Sequence, residues 1–282
     1  MDYVPRRARA DALYRAIHRP LAPVSGAFRA LAFRRGRDET ANFTRRSALV
    51  LAPHPDDETL GCGAAILHKR TAGTPVRIVV ATDGRGDAGS RTRPPDELVN
   101  LRRAEAIEAC SRLGVGLPDL HFLDFEDGHL AASSERLDAC IRDIVRRMGP
   151  EEILVPALAD RHPDHRALSQ AVRRLIVAGE VKCAVYEYPI WYWQRYPWVS
   201  QPKNIIDAAC RFLSDPVCAC LGPRPALVRT DGVLERKRAA IRAYRSQTGS
   251  LEGEPGWWTF PQGFVAGFLG SYEIFFPVNV PA

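Results

Sequence analysis

The 282-residue sequence predicts an α/β fold, in which helices cover both faces of a mostly parallel β-sheet. Between Ser47 and Pro189, five strand-like segments alternate with four helix-like segments. Strands buried on both faces are apolar along their whole length, and SALVLAP and PVRIVVATDG have this character. Alternating strands and helices form right-handed βαβ units, which build such a sheet.

Glycine, proline and polar residues mark where these elements begin and end. The predicted strands are, in order, SALVLAP, PVRIVVATDG, LHFLDF, EEILVPA and KCAVYEYP. The helices between them are TLGCGAAILHKRTAG, ELVNLRRAEAIEACSRLG, SSERLDACIRDIVRRMG and HRALSQAVRRLIVAG. We expect Thr59 to be the N-cap of the first helix, and Gly114 and Gly149 to end the second and third.

Charge and composition divide the chain into two parts. Residues 1–46 carry eleven Arg against four acidic residues, a net charge of +7, so the other residues carry −1 of the total of +6. We therefore predict a basic N-terminal arm at 1–46 and a single domain at 47–282. Within that domain, 47–189 forms a Rossmann-like core, and 190–282 is an aromatic-rich C-terminal portion that includes one helix, GVLERKRAAIRAYRSQ. The nearly neutral domain argues against a nucleic-acid partner.

Cysteine usage and hydropathy indicate the cellular compartment of the protein. The seven cysteines are odd in number and scattered, without a CxxC pair, which favours a reducing, cytoplasmic compartment over a disulfide framework. The sequence contains no run of about 18 apolar residues, so we expect no transmembrane helix. The arginine-containing N-terminus lacks the apolar run of a secretory signal. We expect a cytoplasmic protein, either free or peripheral at a membrane.

Histidine and acidic residues follow the first and the fourth predicted strands. The first cluster is His54-Pro55-Asp56-Asp57-Glu58, and the second contains Asp160, His162, Asp164 and His165. In a doubly wound sheet these two strands are commonly neighbours at the switch in strand order. We therefore expect the two clusters to face each other across a crevice.

Two imidazoles and several carboxylates that converge are typical of a divalent transition-metal site. Such donors suit Zn²⁺, which in catalytic sites has three protein ligands and one open position. The alternative is that the acids cap the following helices and the histidines lie on the surface. Two His-Pro-Asp clusters at corresponding strand ends favour the metal, whose charge would offset that of the acids.

The motifs PHPDDE and HPDH together resemble those of the PIG-L/LmbE-like family of zinc-dependent N-deacetylases, which act on N-acetylglucosamine-type conjugates. The resemblance spans roughly residues 47–282 and includes RRAEAIEACSRLG, YEYP and AYRSQ. It implies that His54, Asp57 and His165 are the Zn²⁺ ligands. It also implies that Asp56 is the general base, that His162 stabilises the oxyanion, and that an N-acetylated sugar conjugate is the small-molecule partner.

Further residues are candidates for supporting or substrate-binding roles. A contact with Asp160 or Asp164 would keep His162 protonated, and the sequence leaves both open. Arg102 and Tyr186 match family elements near the substrate. The alternative for Arg102 is a helix-surface pair with Glu105 one turn on. Asp83 would bond a sugar hydroxyl, or is a turn residue before Gly84.

Other classes of function compete with this interpretation. A nucleotide-binding Rossmann module is disfavoured, because Ile66 replaces the third glycine of GxGxxG and the acids would repel a pyrophosphate. The same metal site acting as an amidase on a different acyl-amine conjugate is a closer alternative. Finally, apolar residues among the arginines of residues 1–46 would lie on an anionic membrane surface, dock on the domain or form a subunit contact. These residues are Leu13, Ile17, Phe28, Leu31 and Phe33.

Overall fold

A computed structural model describes residues 22–86, 93–194, 196–200, 203–249, 257, 259–260 and 263–281. The strands are β1 Arg37–Asp38, β2 Ala48–Ala52, β3 Val76–Thr82, β4 Leu120–Phe125, β5 Glu152–Pro156, β6 Ala184–Tyr188, β7 Ala226–Arg229 and β8 Tyr272–Val278. The helices are α1 Ala22–Arg35, α2 Thr40–Arg45, α3 Asp57–Thr71, α4 Pro95–Arg112, α5 Ser134–Met148, α6 Pro163–Val177, α7 Ile205–Leu221, α8 Leu234–Ile241 and α9 Arg245–Thr248.

The strands form one eight-stranded, mostly parallel sheet in the order β1-β7-β8-β6-β5-β2-β3-β4. The five predicted strands are β2 to β6, and they pair only in parallel with one another. Strand β8 is antiparallel to both β6 and β7. The predicted α/β fold with a mostly parallel sheet is therefore confirmed. Because β2 pairs with β5, the polar clusters that follow these strands meet at one edge of the sheet.

Both faces of the sheet are covered by apolar side chains. Along β2, Val50 belongs to one hydrophobic cluster, while Leu49 and Leu51 belong to the cluster on the other face. This alternation is the period of two expected of a strand, and all five β2 residues are fully buried. The apolar run SALVLAP therefore lies in the centre of the fold.

Residues 22–46 pack onto the domain, which is one of the placements that the sequence left open for the basic arm. Strand β1 pairs in parallel with β7, and Phe43 is fully buried, with its ring 4.8 Å from that of Tyr186 and 4.9 Å from that of Phe275. Phe28 and Phe33 of α1 pack against buried Ala32. Leu13 and Ile17 lie outside the described residues.

Two glycines of helix α3 serve packing against the sheet and its neighbours. A Cβ at Gly61 would lie 2.3 Å from Tyr188 Cδ2, and one at Gly63 would lie 3.0 Å from Lys237 Cγ. These glycines therefore allow close approach of side chains from β6 and α8, and are not available to a phosphate. Gly61 and Gly63 are the first two glycines of the incomplete GxGxxG pattern, and their packing role further disfavours the nucleotide-binding alternative.

Two helix predictions differ from the structure. Helix α3 begins at Asp57, so Thr59 is in the first turn and donates to Glu58 Oε1 (2.5 Å) instead of capping the helix. The predicted helix GVLERKRAAIRAYRSQ is divided into α8 and α9, with Tyr244 between them at φ −79° and ψ 62°. Helix α5 ends as predicted, because Gly149 has the left-handed conformation.

Candidate metal centre

The loop between β2 and α3 carries the first polar cluster in a constrained conformation. Asp56, at the N-cap of α3, has φ 135° and ψ −29°, a region that costs a non-glycine residue about 1–3 kcal/mol. Its N–H donates to Glu58 Oε2 (3.2 Å), and Gln247 Nε2 donates to the carbonyl of Pro55 (2.6 Å). Tyr244 donates its hydroxyl to Glu58. The α8–α9 segment therefore holds the loop in place.

The second polar cluster begins helix α6 after β5. His162 is the N-cap, and its Nδ1 accepts the N–H of Asp164 (3.3 Å). His165 lies in the first turn and is fully buried. The ring of His54 is 4.4 Å from that of His162 and 5.2 Å from that of His165. The structure thus brings the two clusters together, as expected.

Three ligand atoms from these clusters form a nearly equilateral triangle. Asp57 Oδ2 lies 3.2 Å from His54 Nδ1 and 3.2 Å from His165 Nε2, and the two nitrogens are 3.3 Å apart. Ligand atoms of a tetrahedral cation with bonds of about 2.0–2.1 Å are separated by about 3.3–3.4 Å. The donor set and its spacing therefore suit a small divalent cation.

The outward nitrogen of His54 faces two carboxylates. His54 Nε2 lies 3.2 Å from Asp127 Oδ1 and 3.2 Å from Asp164 Oδ2. Asp164 also accepts the backbone N–H groups of Gly128 (2.7 Å) and Leu130 (3.0 Å). A carboxylate on the far nitrogen of a histidine orients the ring and leaves the near nitrogen as a ligand atom. Asp164 therefore orients His54.

Asp127 is a site residue that the sequence analysis did not select. It follows β4, at the same edge of the sheet as His54, and the segment FEDGH after LHFLDF was the available signal. With His54, His162 and Asp164 it forms a second group of metal-type ligand atoms within 4.8 Å of one another. This second group shares only His54 with the triangle.

Asp160 is placed beside His165 and not beside the ring of His162. Asp160 Oδ2 accepts the backbone N–H groups of Ile190 (3.1 Å) and Trp191 (2.9 Å) and lies 3.4 Å from His165 Nδ1. It therefore connects the ligand-bearing helix to the segment that follows β6.

The surroundings of His162 disfavour the protonated ring that the sequence analysis expected. Burial, together with the charges of His54 and His165, lowers the pKa of His162 to about 3. The nearest Asp164 carboxylate oxygen is 4.0 Å from its Nδ1, which instead accepts a backbone N–H. With Nδ1 as acceptor, the neutral ring carries its proton on Nε2. These surroundings favour the neutral ring, which can donate a hydrogen bond from Nε2.

Asp56 is a buried carboxyl group beside the charge of Asp57. It is only 4% exposed, and burial followed by the charge of Asp57 raises its pKa well above the ordinary value. Arg102, which is 8% exposed, opposes this increase in the pKa of Asp56. A raised pKa makes a carboxylate a better proton acceptor near neutral pH.

The candidate substrate residues lie in three different settings. Arg102 is buried and donates to the carbonyl of Gly84 (2.5 Å), so the surface alternative is wrong. Asp83 accepts from the N–H (3.1 Å) and Nε (2.6 Å) of Arg85, which matches the turn alternative. Tyr186 is within β6, opposite Leu154, and packs on Phe43. The structure therefore brings Arg102 near Asp56 but places Tyr186 away from the edge where the clusters meet.

Comparisons with known proteins agree with this fold and site. The sequence pattern of the PIG-L family, described as GlcNAc-PI de-N-acetylase, matches residues 49–176, which include both polar clusters. The predicted resemblance to the PIG-L family is therefore confirmed, and the match lies in the segment that carries the metal-type ligand atoms.

Two curated relatives have names that state a deacetylase activity. One is 1D-myo-inositol 2-acetamido-2-deoxy-alpha-D-glucopyranoside deacetylase of Kineococcus radiotolerans, 27% identical over 72% of this chain and 69% of the relative. The other is the probable N-acetyl-alpha-D-glucosaminyl L-malate deacetylase 2 of Bacillus subtilis, 29% identical over 72% and 84%. The predicted enzyme class, a deacetylase, is confirmed.

A solved structure supports the fold. The N,N'-diacetylchitobiose deacetylase of Pyrococcus horikoshii superposes with a TM-score of 0.60. The comparison covers 98% of this chain and 94% of that chain, at 20% sequence identity. At this identity the likeness shows a shared fold.

Metal binding should be strongly pH-dependent. Burial alone would lower the pKa of His165, but Asp57 and Asp160 raise it to about 9, and three carboxylates likewise raise the pKa of His54. Below these pKa values protons occupy the nitrogens that face the cation, so affinity should increase as pH rises towards about 9. Calorimetry in buffers of different ionisation enthalpy counts the protons released. Binding of Zn²⁺ without proton release at neutral pH would contradict this prediction.

Proposed function

We propose that the protein hydrolyses the acetamide of an N-acetylglucosamine-type sugar conjugate and releases acetate and a free amine. The observation that carries this proposal is the triangle of His54 Nδ1, Asp57 Oδ2 and His165 Nε2, with buried Asp56 next to it in sequence and the His162 ring 4.4 Å from that of His54. The names of the two curated relatives specify N-acetylated glucosaminyl conjugates and support the substrate class.

We assign Zn²⁺ to the triangle, with His54, Asp57 and His165 as its ligands. Two neutral imidazoles and one carboxylate are a typical donor set for catalytic zinc, and their spacing suits a tetrahedral ion. When bound, the ion supplies Lewis acidity, which polarises the acetamide carbonyl and makes water a better nucleophile. Asp164 and Asp127 hold His54 in the ligand orientation from its outer nitrogen.

Asp56 moves the proton in this mechanism. Its carboxylate accepts a proton from the attacking water and then passes it to the nitrogen of the leaving amine. The backbone of Asp56, at φ 135°, differs from that of Asp57, which begins helix α3, so the two adjacent carboxylates need not face the same way. One acid can therefore bind the metal while the other serves as base.

His162 stabilises the charge that develops on the carbonyl oxygen. Because the ring is neutral, it donates an Nε2–H hydrogen bond and does not supply a full positive charge. A donor aimed at an oxyanion in a buried site typically contributes about 10²–10³-fold in turnover. Arg102, near Asp56, is the remaining candidate for contact with the sugar.

Acetate release from a panel of N-acetylglucosamine conjugates tests this function. Zinc-loaded protein should release acetate and amine in equal amounts from at least one conjugate, and a chelator should stop the reaction. The matched control is Asp56→Asn protein prepared in the same way. Zinc-loaded wild-type protein that cleaves another acyl-amine but no acetamido sugar would favour the amidase alternative.

A further inference from the structure

Helix α7 exposes a large apolar surface. The described residues include nine large hydrophobic side chains that are exposed, and six of them belong to this one helix. They are Ile205 (86% exposed), Ile206 (73%), Phe212 (53%), Leu213 (72%), Val217 (54%) and Leu221 (78%). Monomeric soluble proteins rarely concentrate apolar surface in this way, and such patches mark interaction sites.

Polar contacts attach α7 to the domain, together with Ala219, which packs against the cluster that contains Ala32. The only residue of α7 that is buried is Asp215, which accepts the N–H (3.1 Å) and hydroxyl (2.7 Å) of Ser200. Arg35 of α1 donates to the carbonyls of Ala219 (2.6 Å) and Gly222 (2.7 Å) at the end of the helix. These bonds fix the helix with its apolar residues directed outwards.

The exposed residues include one continuous stripe along the helix. Ile206, Leu213 and Val217 are separated by seven and four residues, with exposed Cys210 between them, so they share a face. Beside the stripe, the ring of Trp198 stacks on that of Phe212 at 5.3 Å. A tryptophan next to an apolar face is typical of elements at a membrane–water interface.

We propose that this stripe of α7, defined by Ile206, Cys210, Leu213 and Val217, binds the surface of an anionic lipid bilayer. The helix would lie in the plane of the interface. Within the part of the chain that the structure describes, no helix is long and apolar enough to cross a membrane.

The charge around the stripe favours anionic lipid over a second copy of the chain. Helix α1, which contacts α7 through Arg35, carries three arginines and no acid, and exposed Lys203 and Arg224 flank α7. Basic residues near an anionic bilayer each contribute about 1 kcal/mol to binding. Two copies joined through α7 would instead bring two cationic regions together.

The position of α7 links this surface to the metal centre. The helix follows β6, whose carboxyl end is fixed to Asp160 through the N–H groups of Ile190 and Trp191. Because β7 is parallel to β6, the connection that contains α7 runs from the carboxyl edge of the sheet to the opposite edge. Docking through α7 would therefore place the connection that leaves the site-bearing edge at the membrane surface.

Vesicle co-sedimentation of the full-length chain tests the proposal. Wild-type protein should pellet with vesicles of phosphatidylcholine and phosphatidylglycerol at low salt, and less with phosphatidylcholine alone. Replacement of Ile206, Leu213 and Val217 by Gln leaves the net charge unchanged and should weaken the partition coefficient more than about tenfold. The matched control, Leu117→Gln with Val177→Gln, changes exposed apolar residues elsewhere and should bind like wild type.

Three results would overturn the proposal. Equal pelleting of the stripe and control variants would assign membrane binding to another part of the chain, such as residues 1–21. Failure of wild-type protein to pellet with anionic vesicles would show that the protein does not bind an anionic bilayer. A wild-type dimer in light scattering that the stripe variant dissociates would identify a second copy as the occupant. Acetate release from a soluble conjugate by the triple variant checks that this variant is folded. If its activity falls, the single variant Leu213→Gln replaces it in the vesicle experiment.

Discussion

Asp56→Asn should retain stoichiometric zinc and lose most turnover, about 10²–10⁴-fold, the usual contribution of a general base. Asparagine has the shape of aspartate but cannot accept the proton of the attacking water. The ligand triangle consists of atoms from His54, Asp57 and His165, so this change should leave it intact. Metal content by mass spectrometry and acetate release should be measured on the same preparation.

The comparison with His162→Ala separates the two catalytic roles. This variant should also retain zinc, with turnover reduced about 10²–10³-fold, as expected for loss of one oxyanion donor. It should retain the part of the pH profile that depends on Asp56, because that base is unchanged. If Asp56→Asn empties the site while Asp57→Asn leaves it filled, the roles of the adjacent acids are reversed.

Asp57→Asn should abolish activity through loss of the metal. Asp57 Oδ2 is the atom that lies 3.2 Å from both ligand nitrogens, and it also accepts the N–H of His54 (3.1 Å). The neighbouring imidazoles hold the pKa of Asp57 below its usual range despite burial, so the anion is present at neutral pH. Removal of this charge should weaken zinc affinity more than about 100-fold, beyond the 10–100-fold typical of outer-shell changes.

Asp164→Asn is the matched control for this loss of affinity. Asp164 is also buried and contacts His54, but from the outer nitrogen, so its change should weaken zinc binding only about 10–100-fold. Competition with a chromogenic chelator measures both affinities. A larger loss for Asp164→Asn than for Asp57→Asn would indicate that the metal lies on the outer side of His54.

The sheet and the meeting of the two clusters could be predicted from sequence because both depend on strong, local patterns. Strands such as β2 are continuous apolar runs between glycine, proline and polar residues, and their alternation with helices restricts the topology. The carboxyl ends of β2 and β5 then carry His54 and His165 to the same edge.

Other features depend on tertiary contacts that leave little local signal. Strand β1 consists of Arg37 and Asp38, which have no apolar pattern and pair only because β7 is adjacent. The break between α8 and α9 depends on bonds from Tyr244 and Ser246 to distant acids. The lowered pKa of His162 follows from burial and from its neighbours in space, so a motif could not indicate it. Helix α7 was missed because its apolar residues face outwards and are not directed to a core.

Anomalous diffraction at the zinc absorption edge, from crystals of zinc-loaded protein, locates the metal directly. We expect one strong peak per chain, bordered by His54 Nδ1, Asp57 Oδ2 and His165 Nε2. A peak on the opposite side of the His54 ring, among Asp127, His162 and Asp164, would contradict this expectation, as would the absence of a peak at His54.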